Sequence, residues 1–229
     1  MAERHEIRWG GFAGLVFAVT SVVGYFITGN PPRVDDSQSQ ITSYFDGNRG
    51  QLMTQAILIS IAAAALVWFA AALAQALRER MPTSDVPGAI LGGVTLAAGL
   101  VFIGAILTAT LAFRAAAPAT TVTLYVALSV LFTMIGIASA LPLSAAAVGI
   151  VATHVMPQWT AWFAGLAAVV NVVGAFGIVN DSGNFVPGGP VMSLVPFLVT
   201  AAWVVATSVF MVREHLPEVT VAPQAMGHA

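Results

Sequence analysis

The sequence contains no cysteine, so disulfides, thiolate catalysis and cysteine-ligated clusters are excluded. It contains no lysine either. All eight basic residues are arginine, which removes Schiff-base and P-loop chemistry, since both need a lysine amine. Charge of either sign is scarce: Asp, Glu, Lys and Arg make up 8% of the chain, against the ~25% usual for a soluble domain. The formal net charge of −2 leaves no basic footprint for nucleic acid. Between Gly10 and Val212 every charged residue falls in a connection or at the end of an apolar run.

What fills the chain instead is hydrophobic sequence, 58% of the residues. A bilayer core needs about 20 apolar residues per helix. The pattern predicts spans at Gly10–Ile27, Leu52–Leu77, Val86–Phe113, Val122–Val151, Trp159–Val179 and Val191–Val212. The expected fold is therefore all-α: a polytopic integral membrane protein, one bundle of six transmembrane helices, with short connections making sequence neighbours antiparallel. Glu3 and Glu6 dilute the basic flank of the first run, and Tyr25–Gly29 offers no small-x-small cleavage site, so it reads as a retained anchor rather than a secretory signal.

Arginine placement sets the expected orientation. With the N-terminus inside, Arg4, Arg8, Arg78, Arg80 and Arg213 are cytoplasmic and Arg33, Arg49 and Arg114 are outside, in keeping with the positive-inside tendency. Trp9, Trp159 and Trp162 then anchor the inner interface, and Tyr25 and Tyr125 the outer one. The reading is a multi-pass protein of the cell membrane with a cytoplasmic N-terminal tail (1–9) and a cytoplasmic C-terminal tail (213–229).

The third and fourth spans, at 28 and 30 residues, would be ~42–45 Å long at 1.5 Å per residue, more than the ~30 Å hydrocarbon core. Pro142 and Pro196 are candidate kinks, read as packing features. Small residues recur every four positions: Ala89, Gly93, Ala97, Ala105 and Ala109, with Gly88 and Gly92 beside them, and Gly10 with Gly14 in the first span. Such stripes let helices approach closely, within the bundle or between copies.

Two connections are long enough to carry structure. The first, residues 28–51, opens with the turn signal Asn30-Pro31-Pro32. It continues into Gln38–Phe45, where Ile41, Tyr44 and Phe45 share a face and Asp36 or Ser37 can cap a short amphipathic helix. The second, Asn180–Pro190, is turn chemistry throughout.

Chemistry-bearing patterns are mostly missing. No catalytic set is assigned, and no metal or other cofactor. A zincin His-Glu-x-x-His is lacking, and no histidine lies within a span to ligate haem. His5, His154, His215 and His228 fall on one side without metal-ligand spacing. Ser182, between Asp181 and Gly183, has no histidine on its side to act as base. Coupled transport usually leaves a charge at mid-depth, and none is present. The strongest polar residue near a span centre is Asn171, expected to bond across helices, while most membrane hydroxyls should return a bond to their own helix. Outside, Arg114 and Asp181 lie on one side with Asp35, Asp36, Asp46, Asn48 and Arg49. An Arg114–Asp181 pair is read as a clamp on the bundle's outer end. The alternative is a ligand site: a shallow outer vestibule in which Arg114, Asp181 and the loop residues hold a polar headgroup or small polar ligand, with Asn171 as a contact in the bundle interior.

The stretch Ile41-Thr42-Ser43-Tyr44-Phe45-Asp46-Gly47-Asn48-Arg49-Gly50, leading into a span with Trp68-Phe69 that ends Ala-Leu-Arg-Glu-Arg, resembles small uncharacterised six-span membrane proteins of actinobacteria, the DUF4386-like group of unknown function. The resemblance implies the six-span layout and no activity. Three functional readings follow. In the first, the protein is non-enzymatic and acts by helix–helix association with itself as a homo-oligomer or with another membrane protein. In the second it carries or binds a lipid or small amphipathic molecule in a cavity lined by hydroxyls and Asn171. A membrane-embedded lipid-modifying enzyme ranks last. A packed interior would end the second reading, and a continuous cavity would favour it.

Overall fold

The computed structural model describes residues 2–113, 118–180 and 182–213. Seven α-helices occupy them: α1 (Ala2–Phe26), α2 (Gln38–Gly47), α3 (Arg49–Arg78), α4 (Val86–Phe113), α5 (Pro118–Thr153), α6 (Gln158–Ala175) and α7 (Pro190–Val212), with a 3-10 turn at Phe176–Val179 extending α6. Among the described residues there is no strand. Six helices, all but α2, are long and apolar enough to cross a membrane. In each, only 33–39% of the most apolar window is buried inside the molecule. The outward faces carry Val19, Ile57, Ile106, Val148, Val169 and Val179, which water would penalise and lipid accepts. The chain is a multi-pass membrane protein, an all-α bundle of six membrane helices.

The six form a closed ring. Each packs on its sequence neighbours, and α7 returns to pack on α1, so every adjacent pair runs antiparallel. Glycines set the tightest approaches. A Cβ on Gly93 of α4 would come within 2.7 Å of Pro142 Cδ on α5, and one on Gly174 of α6 within 2.6 Å of Pro196 Cγ on α7. Each proline ring is thus received by a glycine of the adjacent helix. On the α1 seam, a Cβ on Gly11 would meet Val212 at 2.8 Å, Gly14 abuts Ser208 and Phe69, and Gly10 abuts Ala72 of α3.

At the base, where α1 begins and α7 ends, the ring is filled. Leu73, Leu77, Ile90, Ile150, Trp203, Val204 and Met211 share one buried cluster. Phe69 meets Trp203 edge-on at 6.1 Å, and Trp203 Nε1 donates to Thr160 O at 3.0 Å. His154, with φ 53°, turns the chain out of α5, and its ring Nε2 lies 3.0 Å from Gln158 Nε2. Trp9, Trp159 and Trp162 are exposed at this same end.

The opposite end, the mouth, is roofed. Ser37 is the N-cap of α2 in a capping box: its side chain accepts from the Gln40 amide, and Gln40 Oε1 accepts from the Ser37 N–H at 3.0 Å. Asp36 instead closes the preceding turn, its Oδ2 accepting from the Arg33 N–H at 2.7 Å. Ile41 and Phe45, 0% and 4% exposed, point down among Leu52, Leu111, Tyr125 and Leu128. Tyr125 does not reach an interface as the sequence suggested, whereas Tyr25 is half-buried. Tyr125 is buried, meets Phe45 edge-on and donates its hydroxyl to Pro32 O; Tyr25 stacks on Phe197. The Tyr125 hydroxyl finds this backbone acceptor because the connection folds back over the ring.

Candidate functional site

Between the packed base and the α2 roof, the ring surrounds a partly open cavity of about 310 Å³. All six membrane helices contribute to its wall, together with α2. The wall is chiefly apolar: Phe17 of α1, Leu66 of α3, Ala98 and Val101 of α4, Phe132 of α5, Met192 and Phe197 of α7. The cavity deepens to the level of Thr200, about ten residues or ~15 Å into α7. Below that, Phe69, Pro142, Leu143 and Trp203 surround only a further 40 Å³. No Asp, Glu, Lys, Arg or His lines the cavity among the described residues.

Polar groups on the wall divide into committed and open ones. Ser21, Ser129, Thr133 and Thr108 each donate to the carbonyl four residues back, at 2.5, 3.0, 2.8 and 2.9 Å. This is how a membrane helix satisfies a hydroxyl by itself. Near the mouth Gln55 Nε2 donates to Thr28 Oγ1 at 3.4 Å, and the Tyr44 hydroxyl to Thr28 O at 3.3 Å. Burial raises the Tyr44 pKa, and the Thr28 side-chain hydroxyl works in the opposite direction. Deeper, Asn171 is 5% exposed and joins α6 to α7: Nδ2 donates to Ala167 O at 2.8 Å and to Thr200 Oγ1 at 2.8 Å. The cross-helix bond expected of Asn171 is therefore made, and its residue also faces the cavity. Ser139 of α5 lines both the cavity and the smaller void beneath.

The roof is held by its own contacts. Arg33 and Asp35 form a two-pronged ion pair, Nε to Oδ1 at 2.9 Å and Nη2 to Oδ2 at 2.5 Å. This pair pulls the exposed Asp35 carboxyl below its usual pKa. Asp35 Oδ2 also accepts from the Gly183 N–H at 3.4 Å, linking the two long connections. The second connection then dips inward: Val186 is fully buried, and Gly188, at φ 74°, passes over Ser129 where a Cβ would stand 3.1 Å from its Oγ. A side chain is disfavoured there both by the backbone and by the space. Arg49 lies over the Phe113 ring at 5.5 Å.

Of the residues singled out in the sequence, Asn171 is part of this cavity. Arg114 and Asp181 lie outside the described residues, as do His215, His228 and the C-terminal segment from 214 onward. Among the described residues no three His, Cys, Asp or Glu side chains converge to hold a metal. Sequence reasoning missed the aromatic wall of Phe17, Phe132 and Phe197, because a phenylalanine in a membrane helix reads the same whether it faces lipid or lumen. No known protein-family model matches the chain, and no curated protein or solved structure is detectably similar to it.

Proposed function

We propose that the protein is a membrane binding protein or carrier for a small amphipathic molecule, held in the central cavity of the ring and admitted beneath α2. The observation that supports this most is the space itself: about 310 Å³ with a largely apolar wall, within the ~300–1,000 Å³ range of small-molecule sites. Membrane bundles otherwise gain stability from close packing, so an interior left open in one half and filled in the other is a costly arrangement without a ligand. In this reading both termini are cytoplasmic and the mouth faces outward in the cell membrane, following the arginine distribution.

The test is native mass spectrometry of the full-length protein released from nanodiscs, beside an Ala98→Phe variant. Ala98 lines the cavity and is 3% exposed, so a phenyl ring there fills the space. A discrete small-molecule adduct on the parent protein, lost from a still-folded variant, supports the proposal. A parent protein that never carries or takes up a small molecule argues against it.

A second reading, self-association, rests on α4. Gly93, Ala97 and Ala105 of its small-residue stripe are buried within the bundle, whereas Gly88, Gly92 and Gly99 face outward with nothing within 4 Å of a Cβ. Crosslinking in nanodiscs with Gly92→Leu tests it: loss of a dimer band supports association through that face, and an unchanged monomer removes it.

A further inference from the structure

The hydrogen-bonding groups on the cavity wall are unevenly used, and this bears on what the cavity takes. Toward the mouth, Ser21, Ser129, Thr133 and Tyr44 donate to backbone carbonyls, and Thr28 accepts from Gln55. Deeper in, the pattern changes. Both amide protons of Asn171 are committed, to Ala167 O and to Thr200 Oγ1, which fixes the amide orientation and leaves the carbonyl Oδ1 as the group Asn171 presents. Among the described residues nothing donates to Oδ1, and Thr200 Oγ1, having accepted from Asn171, donates to no protein acceptor. Neither atom is sealed off: among the described residues the single fully enclosed side-chain polar atom without a partner is Ser208 Oγ, at the α1–α7 seam. One acceptor and one donor from adjacent helices, together with the Ser139 hydroxyl of α5, thus line the deep end of a largely apolar chamber.

Resting on the reading of the cavity as a binding site, the geometry points to an electrically neutral, single-chain amphiphile bound head-down. Its alcohol or primary-amide group bridges Asn171 Oδ1 and Thr200 Oγ1 at mid-membrane, and its apolar chain extends toward Phe45 and Tyr125 under the roof. Neutrality follows from the wall, which offers no counter-ion at a depth where an unpaired charge is strongly disfavoured. The reciprocal pair selects a group that both donates and accepts. Size follows from the volume: an apolar 150 Å³ cavity holds benzene, so about 310 Å³ takes roughly a dozen non-hydrogen atoms. That is a medium-chain molecule, not a two-chain phospholipid.

The experiment uses the full-length protein in nanodiscs and three decyl probes carrying a diazirine at the tail: an alkanol, a sulfonate and a trimethylammonium. Labelled positions are read by tandem mass spectrometry. The alkanol should label α2 and the first turns of α5, saturably and in competition with unlabelled 1-decanol, with the two charged probes at least about tenfold weaker. Asn171→Leu and the near-isosteric Thr200→Val should each lower alkanol labelling by about tenfold, the loss expected for one buried hydrogen bond. Using both variants guards against a folding defect in either one. Charged probes that label equally well, or both variants labelling as the parent does, would overturn the ligand class while leaving the cavity a binding site. Alkanol labels mapping to the Asn171 and Thr200 peptides instead of α2 would overturn the head-down orientation. Failure of every probe to label the cavity saturably would overturn the binding reading beneath it.

Discussion

The most direct test of how the cavity is closed is Ile41→Ala in α2. Ile41 is completely buried, and with Phe45 it is one of the two buried side chains by which α2 packs on the ends of α3, α4 and α5. The helix lies outside the six membrane helices, so water competes for its apolar face and the hydrophobic effect applies as it does in a soluble protein. Truncating isoleucine to alanine removes three carbons, about 2.4 kcal/mol at ~0.8 kcal/mol per buried methylene. A lid held by two anchors cannot lose more than its docking energy, so the effect should be local. At 1.36 kcal/mol per decade, 2.4 kcal/mol raises the undocked population about fiftyfold. Hydrogen-exchange mass spectrometry in nanodiscs reads this directly. Amides of Gln38–Gly47 should exchange about fiftyfold faster, those in the middle of α3, α4 and α5 should be unchanged, and Ser43→Ala, at an exposed position, should have no effect. Faster exchange throughout the bundle would show that α2 is a structural part of the ring rather than a roof on it. No change in α2 would show that Ile41 does not hold it.

Other outcomes follow from the same geometry. Gly174→Ala and Gly93→Ala should each destabilise the bundle by about 1–3 kcal/mol in a detergent-unfolding titration, because the added methyl meets a proline ring; Gly92→Ala, with open space at its Cβ, should be near neutral. Ser37→Ala removes the capping box and should cost α2 about 1 kcal/mol, seen as faster exchange confined to that helix. Asp35 has a depressed carboxyl pKa in the folded protein, so its contribution is fully present above the ordinary carboxylate range and is lost as pH falls through its own lower value. Spin labels at Ser39 and Asn184 should therefore report the two connections separating only in strong acid. With Asp35→Asn the acid-induced step should vanish; its persistence would assign the step to another group.

The sequence made the membrane helices legible because lipid imposes a one-dimensional rule: no charge within a run of about twenty residues. Ser37 followed by Ile41 and Phe45 announced α2 for a different reason, since that helix meets water and must be amphipathic. The lumen was not legible. In a bilayer the inner and outer faces of a helix are both apolar, so nothing in composition separates Gly93, which receives a proline, from Gly92 beside it, which faces outward. Polarity gave one clue, Asn171, since an amide side chain seeks protein rather than lipid. Tyr125 shows the opposite failure. An amphipathic ring near a span end suggests an interface, yet its hydroxyl found Pro32 O because the Asn30-Pro31-Pro32 turn folds inward over it.

The seam between α1 and α7 has a consequence for biogenesis. Helices inserted one after another can settle in pairs from α3 through α6, but the ring is not complete until the final span arrives. Until then Gly11 and Gly14 present a bare, grooved edge to the bilayer, and the chamber stands open along its whole height. Lipid must fill that gap during synthesis and leave it at closure, so truncation ahead of Pro190 would trap the protein as an unsealed crescent rather than a smaller barrel.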